Sequence, residues 1–329
     1  MKYISLLAVS VGLLSLTGCG SSELDFRNVQ TSNGKIYEGK ANKPFSGFIT
    51  NIPESFVHTS SGYNTLISNM NDALKNIKSE TNAFWGKTFS CDAEVKDGYI
   101  SGNVSCHNQK THSLRYTAQY KDGKMDGDMQ VFSLDEKRTI AKASFKEDLL
   151  NGSATIFSPN TEKPVQVRNY QNGKPDGKQE NYDEITGNVI YRNESKDGLT
   201  VGKVEAFNAQ GAIIKQIPYD EGVPHGIAYE WDINNNRMIG LTTFDHGAKT
   251  GESKTWDPDG SLISDYIYKR NAIIEDKLHS AQPSTNTCLT NFIDNFHKAN
   301  GDAAVINADQ TAEWESSCAA NNDAPWTEE

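Results

Sequence analysis

Five cysteines are the residues of this 329-residue chain best suited to chemistry, and their spacing divides them into one plus four. Cys19 stands alone at the end of an apolar N-terminal run. Cys91 and Cys106 flank a stretch the length of one hairpin, and Cys288 and Cys318 bracket a helical one. One special cysteine and two plausible pairs point to an oxidising compartment. A Cys91–Cys106 bridge closes a loop of about sixteen residues and contributes roughly 3 kcal/mol; a Cys288–Cys318 bridge contributes about 3 to 4 kcal/mol. The alternative for the first pair is a metal site shared with His107 and His112, a spacing that matches no zinc pattern.

Other reactive constellations are missing from the sequence. It has no Gly-x-Ser-x-Gly elbow, no phosphate-binding loop and no adjacent-turn histidine pair. Of the seven histidines, His225 and His246 fall in repeat turns and read as polar turn residues. Asp257-Pro258-Asp259-Gly260 has a calcium-loop flavour but lacks the following ligands and the closing glutamate, so it reads as a turn. With both bridges formed, no free thiol suits nucleophilic catalysis. The expectation is therefore a protein without catalytic, cofactor-binding or metal-binding residues. The minor alternative is an enzyme acting on envelope polymers through a site assembled from distant residues.

Residues 1–18, MKYISLLAVSVGLLSLTG, have a basic start, an apolar run and small residues at the end. That is the pattern of a secretory signal, too short and wrongly flanked for a transmembrane helix. Leu16-Thr17-Gly18-Cys19 resembles the lipobox of bacterial lipoproteins. The resemblance implies diacylglyceryl transfer to Cys19, cleavage before it and stable membrane anchoring. Gly20 in place of Asp resembles the pattern for transfer to the outer membrane in a Gram-negative source. The expected location is thus the cell envelope, at the outer membrane and facing the periplasm, with residues 19–32 as a tether. The formal net charge of −11 disfavours nucleic acid and anionic lipid surfaces and suits a basic protein partner.

The elements that position these residues come from one repeated template. YKDGKMDGDMQVF from Tyr120, YQNGKPDGKQENY from Tyr170, YDEGVPHGIAYEW from Tyr219 and FDHGAKTGESKTW from Phe244 share it. An aromatic is followed by two residues, Gly, three residues, Gly, four residues and a second aromatic. The first glycines are Gly98, Gly123, Gly173, Gly198, Gly222 and Gly247; the second are Gly102, Gly127, Gly152, Gly177, Gly202, Gly226 and Gly251. A fixed period of about 25 residues means a repeat architecture. Asp or Asn before the first glycine is the strongest short-range hairpin signal. The run after the second glycine alternates with period two, as a strand does. Each unit therefore reads as a hairpin that must stack on its neighbours to bury a face. The closing aromatics Phe132, Phe157, Tyr182, Phe207, Trp231 and Trp256 are expected to form a core ladder, with each second glycine letting a neighbouring ring lie on backbone. Departures are local: Asp148 replaces one first glycine and Ser195 one leading aromatic.

This template resembles the MORN repeat, in the variant form found in bacteria and often labelled antitoxin-like. The resemblance covers a little over half of the chain. It implies an extended antiparallel sheet serving as a binding scaffold, and it brings no catalytic residues with it.

The chain is thus mainly β: an elongated array of antiparallel hairpins over residues 91–270, with helical additions. Residues 33–50 hold a degenerate copy of the unit, with Gly39 and Gly47 as its glycines. In the insertion 51–90, Tyr63, Leu66, Ile67, Met70, Leu74 and Ile77 recur at helical spacing after a Ser60 or Ser61 cap. Its expected role is to protect the open end of the sheet. Residues 271–287 read as a linker and 288–329 as a disulfide-stapled helical hairpin. In that hairpin Leu289, Phe292, Ile293 and Phe296 form one stripe, and Asn307 and Gln310 have capping-box spacing. The function expected from these features is a lipid-anchored scaffold that binds a protein. An immunity or antitoxin role against a secreted toxin is its sharpest form, and a structural or assembly scaffold of the outer membrane is the alternative.

Overall fold

The computed structural model describes residues 22–39, 42–57, 60–79, 89–133, 136–278 and 284–320. The signal segment and Cys19 lie outside the described residues. Turn chemistry sets the architecture. Asp97-Gly98 takes φ of 51° and 87°, and Asn172-Gly173 takes 49° and 79°. Positive φ at both positions is the type I′ geometry, whose twist matches the strands it joins. Asp148, in place of glycine, holds φ 71°, and its carboxylate accepts from the Met125 N–H at 2.8 Å. The bond reaches back 23 residues to the preceding unit, and aspartate is one of the few residues other than glycine that visit the left-handed region.

Among the described residues nineteen strands make one open sheet. From Gly47–Pro53 and Phe89–Lys96 through to Ala272–Asp276, neighbours in sequence are antiparallel neighbours in space. Glu23–Asp25 adds in parallel outside Gly47–Pro53. The units also meet at their tips. The N–H of Gly123 donates to the Ile100 carbonyl at 2.8 Å, that of Gly173 to Leu150 at 2.8 Å and that of Gly247 to Pro224 at 2.8 Å. Each turn is thereby tied to the unit before it, the nearest-neighbour coupling on which a repeat array depends.

The second glycine has a different role from the one expected. Ala118 pairs with Met129 and Tyr120 with Met125, so Gln119 alone faces Asp126, Gly127 and Asp128. Gly127 sits in this bulge at φ 122°, where a Cβ would stand 2.8 Å from the Cβ of Gln119. At Gly127 glycine serves the bulge and its close side-chain neighbour and does not seat a ring. Gly47 fills this place in the degenerate unit, with Ser46 Oγ accepting from the Asp97 N–H at 2.9 Å as Ser101 Oγ accepts from Asp122 at 2.9 Å. Gly39 holds φ 50°, and Lys43 stands four residues before Gly47.

Two helices precede the main array, α1 (Glu54–Val57) and α2 (Ser61–Asn76). Ser60 caps α2, its Oγ accepting from the Tyr63 N–H at 3.1 Å. Tyr63, Leu66, Met70 and Leu74 are buried against Tyr116, Met125, Met129, Ile140 and Leu150 of the sheet. Cys91 and Cys106 lie directly opposite one another in register, bonded and buried in the same core. The helix therefore covers a face of the sheet, not its open end. An edge offers unpaired backbone polar groups, whereas this apolar stripe needs apolar surface, and only the face supplies it.

Gly62 marks how closely α2 sits. Its N–H donates to the Asp148 carbonyl at 3.2 Å, and a Cβ there would stand 2.6 Å from that oxygen and 2.9 Å from the Leu150 nitrogen. In an isolated helix Gly→Ala gains up to about 1 kcal/mol. Here Gly62→Ala is expected to destabilise the protein by about 1–3 kcal/mol, because neither backbone atom can yield. Urea denaturation reads this; a raised midpoint would show that the helix is not seated on these backbone atoms.

At the far end the array runs further than expected, since Ala272–Asp276 is a strand within the stretch read as linker. Helices α3 (Ser284–Asn300) and α4 (Ala308–Ala320) follow. Cys288 and Cys318 are bonded, and Leu289, Ile293 and Ile306 are buried with Ala272. Trp314 stacks on Phe292 at 5.8 Å. Asn307 and Gln310 form the reciprocal capping box, at 2.8 and 3.1 Å.

The expected aromatic core ladder is the clearest correction. Phe132, Phe157, Tyr182, Phe207, Trp231 and Trp256 are all only half-buried. Phe132 follows the buried Val131 and Phe157 the buried Ile156, so the two-residue period turns these rings to the opposite face. On that face the Arg192 guanidinium lies 5.3 Å from the Phe207 ring, and Tyr229 lies 5.9 Å from Trp231. Of the two template aromatics it is the leading one that is buried, at Tyr120, Phe145 and Tyr170.

Candidate functional site

The leading aromatics form one row, and its cover stops partway along the array. Under the helical insertion the Tyr120 hydroxyl donates to the Val57 carbonyl at 3.0 Å, and Asn69 Nδ2 donates to the Tyr170 hydroxyl at 2.6 Å. Burial raises the pKa of Tyr63, Tyr116 and Tyr120 above the ordinary tyrosine value, so these hydroxyls stay neutral. Next in the row comes Ser195, a small buried residue whose hydroxyl accepts from Asn193 Nδ2 at 3.3 Å. Beyond it Tyr219, Phe244 and Tyr268 are half-exposed. Register places Ala228 opposite Thr242, Thr242 opposite Ser253, and Ser253 opposite Tyr266, so one continuous face links these strands.

That face holds a shallow groove of about 460 Å³, lined among others by Ile217, Phe244, Tyr266 and Tyr268. Charges frame it. Lys249 Nζ lies 5.2 Å from the centre of the Tyr268 ring, and Lys215 pairs with Glu230 at 2.5 Å. Tyr266 and Tyr268 meet edge to face at 6.3 Å. Half-buried aromatics with a charged rim are the composition of a protein-docking surface.

A second hollow, of about 700 Å³, lies at the first units and is lined by Arg27, Asn51, Asp92, His107, Gln109 and His112. Its charged groups already have partners. Arg27 pairs with Asp25 at 2.6 Å and holds that carboxyl well below the usual range, and His107 Nδ1 lies 3.8 Å from Asp92 Oδ2. The alternative metal set of Cys91, Cys106, His107 and His112 is not assembled here. Both sulfurs are bonded to each other in the core, while His107 and His112 line this outer hollow.

The loops opposite the tips are closed by their own side chains. Asp257 Oδ1 accepts from the N–H groups of Asp259, Gly260 and Ser261 at 3.0–3.2 Å. Asp259 accepts from Ser261, and its hydrogen bonds hold its pKa at about 2. The Asp257–Gly260 segment is a turn, as expected.

Among the described residues, one set of metal-binding side chains converges: the ligand atoms of His225, Asp245 and His246 lie within 4.8 Å of one another, all exposed. The sequence places the two histidines in turns without bringing them together. A signal was present. In the repeat, Lys96, Lys121, Lys146 and Lys196 stand where Asp245 stands.

Comparison with known proteins adds little. No family model and no curated protein matches the chain. Solved structures match at very low similarity. A mutant of Staphylococcus aureus TarM, in complex with fondaparinux, alpha-GlcNAc-glycerol and UDP, is 10% identical at TM-score 0.17 and is matched over 56% of this chain and 27% of its own. A second TarM structure is 11% identical at TM-score 0.14, over 55% and 25%. A TcdB2-TccC3-Cdc42 structure is 12% identical at TM-score 0.16, over 54% and 10%. The matched region thus spans about a quarter or less of those chains, and the likeness carries no argument about function.

Proposed function

We propose that this protein is a non-enzymatic, lipid-anchored scaffold of the cell envelope, whose uncovered sheet face docks a basic protein. The observation that supports this most is the row of leading aromatics. It is buried under α2 at Tyr120, Phe145 and Tyr170 and only partly buried at Tyr219, Phe244 and Tyr268. The net charge of −11 favours a basic partner through steering and complementarity. The MORN-like repeat and the disulfide-forming cysteines support the sharper form, an immunity protein that intercepts a secreted toxin.

Photocrosslinking tests the docking face. A benzophenone side chain at Tyr219 is expected to capture one basic protein, with yield falling as salt rises, while the same group at Trp231 on the opposite face captures none. Capture of a secreted toxin supports the immunity form, and capture of an outer-membrane assembly component supports the structural alternative. Capture at Trp231 alone overturns the assignment of the face. The anchor has its own readout: Cys19→Ser is expected to move the protein to the soluble envelope fraction, and continued membrane association would rule the lipid out.

A further inference from the structure

We propose that His225, Asp245 and His246 form a surface site for a divalent transition metal of the zinc class. The three side chains come from two adjoining hairpin tips, brought together by the stacking of the units. His225 Nδ1 lies 3.4 Å from Asp245 Oδ1, and His246 Nδ1 lies 2.6 Å from the same oxygen. Two ligand atoms on a tetrahedral ion with bonds of about 2.0 Å stand about 3.3 Å apart. The first separation already has this value. The second is a hydrogen bond that a metal would open by less than about 1 Å, an adjustment that exposed side chains can make. The two imidazole rings meet edge-on, with centres 4.8 Å apart.

The array supplies its own control for a purely structural role. His246 N–H donates to His225 Nδ1 at 3.4 Å. At equivalent tips the same bond runs from Glu147 to Asp126 Oδ2 at 3.4 Å and from Asp197 to Asp176 Oδ2 at 3.2 Å. Tying one tip to the next therefore requires an acceptor and no imidazole. Asp245 also replaces the lysine that Lys96, Lys121, Lys146, Lys196 and Lys269 supply at its position. Asp220 makes the same exchange one unit earlier, but Glu221 follows it where His246 follows Asp245. Only at the Asp245 tip does the carboxylate stand between two imidazoles. Two nitrogens and one carboxylate oxygen suit zinc, copper(II) or nickel(II) and are a poor set for calcium or magnesium, which take oxygen ligands. The remaining coordination positions face solvent.

Titration of the untagged full chain with Zn(II), followed by calorimetry, is expected to show one ion bound per chain. His225→Asn and His246→Asn are each expected to weaken binding by at least about tenfold. Both variants use residues the array already carries at those positions, Asn151 and the Asn172-Gly173 turn, so the thermal midpoint should not move. Cu(II)-loaded wild type, read by electron paramagnetic resonance, is expected to show hyperfine coupling to two imidazole nitrogens. Absence of Zn(II) binding, equal binding by the double variant, or coupling to fewer than two imidazoles would each overturn the site.

Discussion

Leu66→Ala is expected to lower the stability of the protein by about 2–5 kcal/mol, whereas Leu199→Ala should stay within about 0.5 kcal/mol. The two leucines separate the two halves of the array. Leu66 is fully buried on the sheet-facing side of α2, in a core drawn from several strands, while Leu199 is 51% exposed on a strand that none of the described helices covers. Truncation at 66 leaves a cavity that cannot collapse, because the sheet beneath it is fixed by ladder bonds on both sides. Chemical denaturation of the two variants, with limited proteolysis around residue 79, would measure the difference. Equal losses would mean that the covered and uncovered halves are not energetically distinct.

The second large effect is expected at the C-terminal cap. Its buried cluster is small: Ala272, Cys288, Leu289, Ile293, Ile306 and Cys318, with Phe292, Phe296 and Trp314 packed around them. A unit of that size depends on a covalent staple. Cys318→Ser removes a bridge worth about 3 to 4 kcal/mol by loop closure and should release α3 and α4 from the last strand. Hydrogen exchange is the appropriate readout. Amides of residues 284–320 should lose protection while those of 89–133, held by the Cys91–Cys106 hairpin and α2, keep theirs. Retained protection in the helices of the variant would show that Lys269–Asp294 and Arg270–Asp302 pairing and the aromatic packing suffice without the bridge.

Much of this architecture is legible in the sequence because its causes are local. The Asp-Gly and Asn-Gly dipeptides adopt positive φ at the hairpin tips, so the period, the turns and the antiparallel order follow from the repeat alone. The same holds for the Ser60 cap, the Asn307–Gln310 box and the two cysteine pairs, each fixed by residues close in the chain or in one hairpin. The faces are another matter. Period two leaves a strand with two sides, and spacing alone does not say which side meets a helix. Aromatics at two template positions were therefore equivalent in the sequence. Only the packing of Leu66, Met70 and Leu74 onto Met125, Met129 and Leu150 decides that Tyr120 lies inside and Phe132 outside. Among the described residues the sixteen-residue α2 does not extend to Tyr219, Phe244 and Tyr268, which stay only partly buried. The meeting of His225 with Asp245 and His246 likewise belongs to the tertiary structure. His225 stands 20 residues before Asp245, and only the stacking of one hairpin tip on the next brings these side chains within bonding distance.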